Sequence, residues 1–299
     1  MIETKTTLDH QLEQAVLNIG IPPCPEILTK LFAEIKREEP DFQRIDKLIS
    51  TDVGLSAAII KTVNSPFYGL RSKVNSVMQA IHILGLSPLS LIVTGMVLRD
   101  VLKGMNKQDM SRYWDASSKV AMISSYIAGR LTYIVHEHMR RSIDKDQAYT
   151  YGLFQDCGIP IMLGHYPQYK ETLGLANQSR GSKFTDIEGL EHEQNHAMIG
   201  YYLAKSWGLP EDMYKAIRYH HEHLELAQDK SFLTTQSRDF IALSLLAEKA
   251  TQSITGFNLS CEWDKGGVWV MEHFGLTEAD FNSIVKGIRV LYDEGNLNN

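Results

Sequence analysis

Five residues in the second half of the chain have side chains that bind divalent metals or transfer protons. Asp156 precedes His196 by 40 residues, the adjacent His220 and His221 follow, and Glu248 completes the series. Neutral imidazole and carboxylate groups are donors that zinc, iron and manganese accept. Because one helix offers only i, i+3 and i+4 neighbours on a face, such a site must draw on several helices. The set therefore indicates a metal site or polar pocket in a helical protein.

Each of these residues also has an ordinary structural explanation. Asp156 could cap the helix that begins in the Ile-Pro-Ile segment after it, and His196 could be a first-turn residue behind an asparagine N-cap. Adjacent helical residues project about 100° apart, so we expect one of His220 and His221 to lie at the surface. Glu248 alone is typical of a solvated helix face. Only the grouping favours a functional site.

A sharper motif overlaps this set, because residues 192–196 match the pattern H-E-x-x-H. On one helix that pattern places two zinc-binding histidines a turn apart, with a glutamate base between them. The flanking residues are polar and acidic, however, and Asn195 is the predicted start of a helix that would leave His192 outside it. A zinc protease is therefore the remote alternative.

The elements that must position these residues are predicted to be helices. Segments 52–63, 88–102 and 240–254 repeat apolar residues at i, i+3 and i+4. Asp41 is a predicted N-cap, and residues 277–280 form a capping-box pattern. The chain has no Asn-Gly or Asp-Gly hairpin turn and little alternation of apolar and polar residues. We therefore predict an all-α fold.

A change of composition divides the chain in two. The polar stretch Lys-Gly-Met-Asn-Lys-Gln-Asp, residues 103–109, interrupts two apolar helical patterns, and nine of the eleven histidines follow it. We predict an N-terminal helical subdomain, residues 1–106, packed on a helical bundle, residues 107–299, that carries the site.

Bulk properties exclude several classes of function. The formal net charge is -6 and no basic stripe stands out, so we expect no nucleic-acid partner. The longest strongly apolar stretch, residues 89–98, is half of the ~20 residues that cross a bilayer, so we expect no membrane segment. Three cysteines without a CxxC pair suit a reducing compartment. These features predict a cytoplasmic protein.

Six sequence blocks, in order over residues 20–222, resemble the HDOD domain family. The first, Ile21-Pro-Pro-Cys-Pro25, is similar to the family's opening L-P-P-L-P pattern. The others are similar to I-x-x-D-P-x-L followed by N-S-x-x-Y-G, to V-x-x-A-I-x-x-L-G, to W-x-H-S, to G-L-L-H-D-I-G, and to a histidine-initiated helix ending in His-His. They lie at residues 49–69, 77–85, 113–117, 152–158 and 196–221.

The resemblance implies a bacterial signalling fold whose second half is a degenerate relative of HD and HD-GYP metal-dependent phosphohydrolases. The superfamily's metal pattern is a first histidine, a His-Asp doublet, further histidines and a final acid. Here the first histidine falls at Ala116, the doublet reads Gln155-Asp156, and the final acid would be Glu248. Alanine has no donor atom, and an amide oxygen is a poor ligand compared with imidazole. The pair of ligands that would hold two ions ~3.5–4 Å apart is therefore missing.

This deficit predicts a non-catalytic regulatory module rather than an enzyme. We expect no cofactor and no functional metal, with at most one adventitious divalent ion in a residual pocket. That pocket would be lined by six residues: Gln155, Asp156, His196, His220, His221 and Glu248. The alternative is a residual metal-dependent phosphohydrolase that uses Asp156, His196, His220 and Glu248.

A regulatory module needs a partner, and we expect either a signalling protein or a small ligand. The loop at residues 64–69 offers Phe67 and Tyr68 between turn-forming residues, which would suit a protein-contact surface. The alternative is that both aromatic rings anchor the loop to the core.

Overall fold

The structure is a computed structural model that describes residues 20–64, 68, 70, 72–105, 110–134, 143–256 and 258–293. It contains sixteen helices and no β-strand within those residues, so the all-α prediction is confirmed. No helix in these ranges is both long and apolar enough to cross a bilayer.

Five helices form the N-terminal part of the described chain. Asp41 and Asp52 cap α2 and α3 as N-cap residues, since their carboxylates accept backbone N–H groups of the first turn. Ser76 caps α4 in the same way. The helices are α1 (Glu26–Ile35), α2 (Phe42–Ser50), α3 (Val53–Val63), α4 (Val77–Leu84) and α5 (Leu86–Met105).

Eleven helices follow within the described residues. Several have the predicted starts: Asn195 accepts from the Met198 N–H at 2.8 Å, and Thr277 and Asp280 form a reciprocal capping box. The helices are α6 (Ser111–Ile134), α7 (Lys145–Phe154), α8 (Gly158–His165), α9 (Tyr169–Gln178), α10 (Phe184–Glu191), α11 (His196–Ser206), α12 (Glu211–Tyr219), α13 (His223–Gln228), α14 (Thr235–Thr255), α15 (Glu262–Phe274) and α16 (Glu278–Asp293).

The two parts share one apolar core. Helix α5 packs on α7, and the Trp207 indole N–H donates to the Pro22 carbonyl at 3.1 Å across 185 residues of sequence. Trp207 is 1% exposed, and truncating such a side chain costs roughly 3–5 kcal/mol. The predicted subdomain boundary at residues 106 and 107 lies outside the described residues and stays a prediction.

The turn between α7 and α8 brings two distant segments together at the site. A Cβ atom on Gly158 would lie 2.0 Å from the His196 carbonyl oxygen, so only glycine allows this approach. The neighbouring Asp156 is thereby held beside the first residue of α11. Gly152 lets α7 approach α6 in a similar way, because its Cβ would lie 2.6 Å from the Ala121 Cα.

Candidate metal centre and its cavity

Three imidazole nitrogens and one carboxylate oxygen converge at the ends of α7, α11 and α12. The His196 Nε2 atom lies 3.3 Å from His220 Nε2 and 3.2 Å from His221 Nε2. Asp156 Oδ1 lies 3.5 Å from His196 Nε2 and 3.4 Å from His220 Nε2. All three rings are buried, and Asp156 is partly open to the cavity described below. We call these four residues the four-donor centre.

Outer hydrogen bonds fix which nitrogen of each ring faces inward. His220 Nδ1 lies 2.7 Å from the Ile217 carbonyl oxygen, which only accepts, so Nδ1 carries a proton. His196 Nδ1 lies 2.9 Å from both oxygens of Glu188. His221 Nδ1 lies 2.7 Å from Glu262 Oε2. In neutral rings, all three Nε2 lone pairs therefore point to the centre, as metal-binding histidines with carboxylate or carbonyl partners do.

The spacing of the donor atoms fits a single ion. Four ligands around zinc at ~2.0–2.1 Å form a tetrahedron with edges of about 3.3 Å. The measured separations of 3.2–3.5 Å lie close to that edge. One proton can bridge only one pair of acceptors, whereas a cation attracts all four. The sequence suggested too few ligands for a functional metal site. The four converging ligand atoms argue that one ion, though not two, could be held here.

The charges around the centre are arranged to attract a cation. Burial opposes protonation of His196, but Glu188 and Asp156 outweigh it and raise its pKa to about 10. Burial and the neighbouring His220 lower the pKa of His221 to about 3. Burial disfavours the charged form of Asp156, yet hydrogen bonds from His196 and His220 hold its pKa well below the usual value. Positive charge is thus stabilised between Asp156 and Glu188.

The side of the site expected to hold a second ion has no such donors. Ala116 lines the cavity without a ligand atom. The Gln155 Nε2 atom donates to Glu248 Oε1 at 2.5 Å and to Asp156 Oδ2 at 3.2 Å, so the amide faces the two acids with its nitrogen. Burial and then the Asp156 charge raise the pKa of Glu248 to about 8. These residues do not fit a second ion.

A cavity of about 390 Å³ opens above the centre. Its lining includes Asp156, His220 and His221 together with a set of apolar side chains, one of which, Phe184, stacks on His221. Arg112 and Lys170 contribute positive charge to the lining. Cavities of this size with a few convergent polar groups are typical small-ligand sites. The apolar side chains are those of Val120, Ile159, Leu163, Leu173, Phe184, Ile241 and Leu245.

The prediction that one of His220 and His221 lies at the surface is wrong. Both side chains are 7% exposed, and both present Nε2 to His196. The 100° separation applies only within a continuing helix. Helix α12 ends at Tyr219, and the chain turns through His220 and His221, so the two rings can face one point.

The alternative explanations for Asp156 and His192 have different outcomes. Helix α8 begins behind Cys157, and no side chain caps it, so Asp156 is free to face the histidines. His192 lies after the end of α10 while His196 begins α11, as the helix start at Asn195 predicts. The His192 Nε2 atom lies 3.1 Å from Thr172 Oγ1, and its ring packs on Tyr166. The two histidines thus do not share a helix, contrary to a zinc protease.

The aromatic loop does not provide the predicted contact surface at Tyr68. Tyr68 is 9% exposed, and its ring lies 5.6 Å from the Lys145 Nζ atom. Tyr68 therefore lies in the apolar core, as the alternative explanation has it for this residue. Phe67 lies outside the described residues.

Sequence reasoning missed two carboxylates that hold the histidines. Glu188 is 0% exposed and also accepts from the Tyr169 hydroxyl, and Glu262 is 4% exposed. Glu188 lies four residues after Phe184, on the apolar face of α10, and an acid on an apolar face is a usable signal. Glu262 carries no such signal, because it opens α15, far from the histidines in sequence.

The family model of the HDOD domain matches residues 21–223, which is most of the chain. The chain therefore belongs to the HDOD domain family. It spans less than half the length of the curated relatives that it matches. The family match ends at His223, so Glu248 and Glu262 lie outside it.

Three solved structures are similar to this chain over nearly its whole length. An HDOD domain protein from Geobacter sulfurreducens is 20% identical, with 99% of this chain and 97% of that chain covered and a TM-score of 0.67. A candidate phosphohydrolase from Shewanella amazonensis SB2B is 18% identical, with 96% of each chain covered and a TM-score of 0.66. A candidate signal transduction protein from Marinobacter aquaeolei VT8 is 18% identical, with 98% and 66% covered and a TM-score of 0.65. At these identities the likeness establishes the fold.

Proposed function

We propose that the chain is a regulatory HDOD module that does not hydrolyse phosphoesters and that holds one divalent ion in its four-donor centre. The observation that carries the proposal is an asymmetry within the site. His196, His220, His221 and Asp156 converge with metal-ligand spacing. The positions for a second ion are occupied by a methyl group and an amide nitrogen.

The donor set favours a zinc-like ion. Three imidazoles and one carboxylate suit zinc, iron or manganese, whereas magnesium and calcium prefer all-oxygen sites. A bound ion would supply Lewis acidity at the lining of the cavity. The residues of this chain would contribute orientation: Glu188, Glu262 and the Ile217 carbonyl hold the three rings through Nδ1. The ion would join the ends of α7, α11 and α12.

Hydrolysis would need more than this centre supplies. A two-ion phosphohydrolase clamps both the attacking and the leaving oxygen between metals ~3.5–4 Å apart. The Gln155 amide donates its protons to Glu248 and Asp156. This half of the site therefore presents hydrogen-bond donors rather than metal ligands. The name of the Marinobacter protein supports a signalling role for this fold. The input would be a protein contact or a small ligand in the cavity.

The test is metal content measured together with turnover. We expect purified protein, stripped with chelator and then loaded with zinc, to hold one equivalent by elemental analysis. His220→Ala should reduce this well below one equivalent, because removing one of four ligand atoms should cost more than the roughly 10- to 100-fold lost with an outer-shell partner. Neither form should hydrolyse bis(p-nitrophenyl) phosphate or cyclic dinucleotides with added manganese. Wild-type protein without tightly bound metal would contradict the metal part of the proposal.

A residual phosphohydrolase is the second candidate. The ionised Asp156 beside three imidazoles favours it, and the name of the Shewanella protein supports it for this fold. It requires measurable turnover that Asp156→Ala abolishes. Such turnover would replace the regulatory proposal with an enzymatic one.

A further inference from the structure

The Glu262 carboxylate, which lies outside the family match, contacts two histidines, His221 and His223. Glu262 Oε2 lies 2.7 Å from His221 Nδ1 and 2.8 Å from His223 Nε2. Its other oxygen lies 2.5 Å from Lys265 Nζ, three residues later on α15. Glu262 and its three partners are largely buried, since the four side chains are 5–12% exposed. The carboxylate therefore has a partner on each oxygen.

Helix α15 is shaped to admit this contact. A Cβ atom on Gly266 would lie 2.6 Å from His223 Nδ1, so a glycine is needed where the imidazole meets the helix. His223 is the first residue of α13, and α13 packs on α15. Glu262, the first residue of α15, thus contacts the turn that follows α12 and the first residue of α13.

The distances show that Glu262 supports the centre from outside and is not a fifth ligand. Separations of 2.7–2.8 Å are charge-assisted hydrogen-bond lengths, shorter than the 3.2–3.5 Å among the four donors. His221 uses Nδ1 toward Glu262 and Nε2 toward His196. Rotating this ring away from Glu262 would therefore remove Nε2 from the centre.

We infer that Glu262 is a positioning residue that orients His221 for the metal and, through His223, ties α15 to metal occupancy. The inference rests on the proposed function, since it assumes an ion in the four-donor centre. It adds a route by which the part of the chain after the family match senses that ion. Loading the centre then restrains the first turn of α15, and emptying it releases that turn.

The first test measures zinc affinity by competition with a chromophoric chelator. Glu262→Ala should weaken binding roughly 10- to 100-fold, the range for loss of an outer-shell carboxylate. Glu262→Gln should weaken it less, because its amide oxygen can still accept from a ring. Glu272→Gln is the matched control: it is an exposed glutamate on the same helix and should bind like wild type.

The second test separates positioning from general destabilisation. With cobalt in place of zinc, the visible ligand-field bands should shift in Glu262→Ala and keep their wild-type position in Glu272→Gln. Amide exchange at residues 262–266 should slow when wild-type protein binds zinc and should not slow in Glu262→Ala. Equal zinc affinity, cobalt spectra and exchange in wild type and Glu262→Ala would overturn the inference while leaving the centre intact. Absence of zinc binding in wild type would instead defeat the proposed function.

Discussion

The two halves of the pocket differ in what they present to its middle. The half made by His196, His220 and His221, here called the retained half, presents lone pairs when its rings are neutral, since each ring donates from Nδ1 to an acceptor behind it. The half made by Gln155 and Ala116, here called the replaced half because the family pattern has histidines at these positions, presents an amide nitrogen and a methyl group. Gln155 therefore contributes hydrogen bonds to its half of the pocket, where the histidines contribute ligand atoms.

The difference also separates two uses of acidic side chains. Glu188 and Glu262 accept hydrogen bonds from histidines and keep them in place, whereas Glu248 is a partly buried acid whose described hydrogen bond comes from an amide. Burial of an acid without a cation favours its neutral form. Around the retained half the charged forms of Asp156 and His196 are favoured. In the replaced half the neutral form of Glu248 is favoured.

Restoring the replaced half should have the largest effect. The double variant Ala116→His, Gln155→His supplies two imidazoles where the family resemblance places them. The cavity beside Ala116 has room for a ring. We expect metal content to rise from one to two equivalents by elemental analysis, and Ala116→Ser should stay at one. A double variant that still holds one equivalent would show that the two halves differ by more than these ligands.

Removing the shared ring of the retained half should have the next largest effect. His196→Ala leaves the Glu188 carboxylate buried without its imidazole, and stranding a buried charge costs roughly 3–5 kcal/mol. Urea unfolding of chelator-treated protein measures this loss. His165→Ala, an exposed histidine at the end of α8, is the control and should change stability by less than ~0.5 kcal/mol. A small effect at His196 would mean that Glu188 is solvated.

Glu248 should give the replaced half a pH dependence of its own. Its pKa is raised from 4.5 to about 8 in the folded protein, so folding favours the protonated acid. This contribution is fully present below about pH 4.5 and is lost as the pH rises through 8. Glu248→Gln should remove roughly 2 kcal/mol of that decline, since the carboxyl is partly exposed. Thermal unfolding from pH 5 to pH 9, with chelator, compares the slopes; parallel curves would refute the shift.

The smallest expected effect concerns the support behind His196. Tyr169→Phe removes the hydroxyl that donates to Glu188 and leaves the ring in place. We expect a loss of roughly 1.5 kcal/mol in urea unfolding, the low end for a bond to a charged group because Glu188 keeps its contact with His196, and at most a slight change in zinc affinity. The exposed Tyr133→Phe should be neutral. A tenfold loss of zinc affinity in Tyr169→Phe would extend the metal support one residue further than the structure indicates.

Most of the fold could be predicted from local sequence. Caps at Asp41, Asp52 and Asn195 and the apolar periodicity of α3, α5 and α14 are short-range properties. The match of residues 21–223 to the family rests on the same local blocks. The prediction that His220 or His221 lies at the surface was wrong, because periodicity cannot tell that the helix ends at Tyr219, just before the His-His pair.

The sequence by itself determined the helical class, the family and the absence of imidazole ligands at Ala116 and Gln155. Residue type and short-range spacing suffice for these. Only the tertiary structure decided that four donors meet at 3.2–3.5 Å and that Glu188 and Glu262 stand behind them. Those contacts join residues 8 to 64 positions apart. Their separation depends on how α7, α10, α11, α12 and α15 pack, and no local pattern encodes that packing.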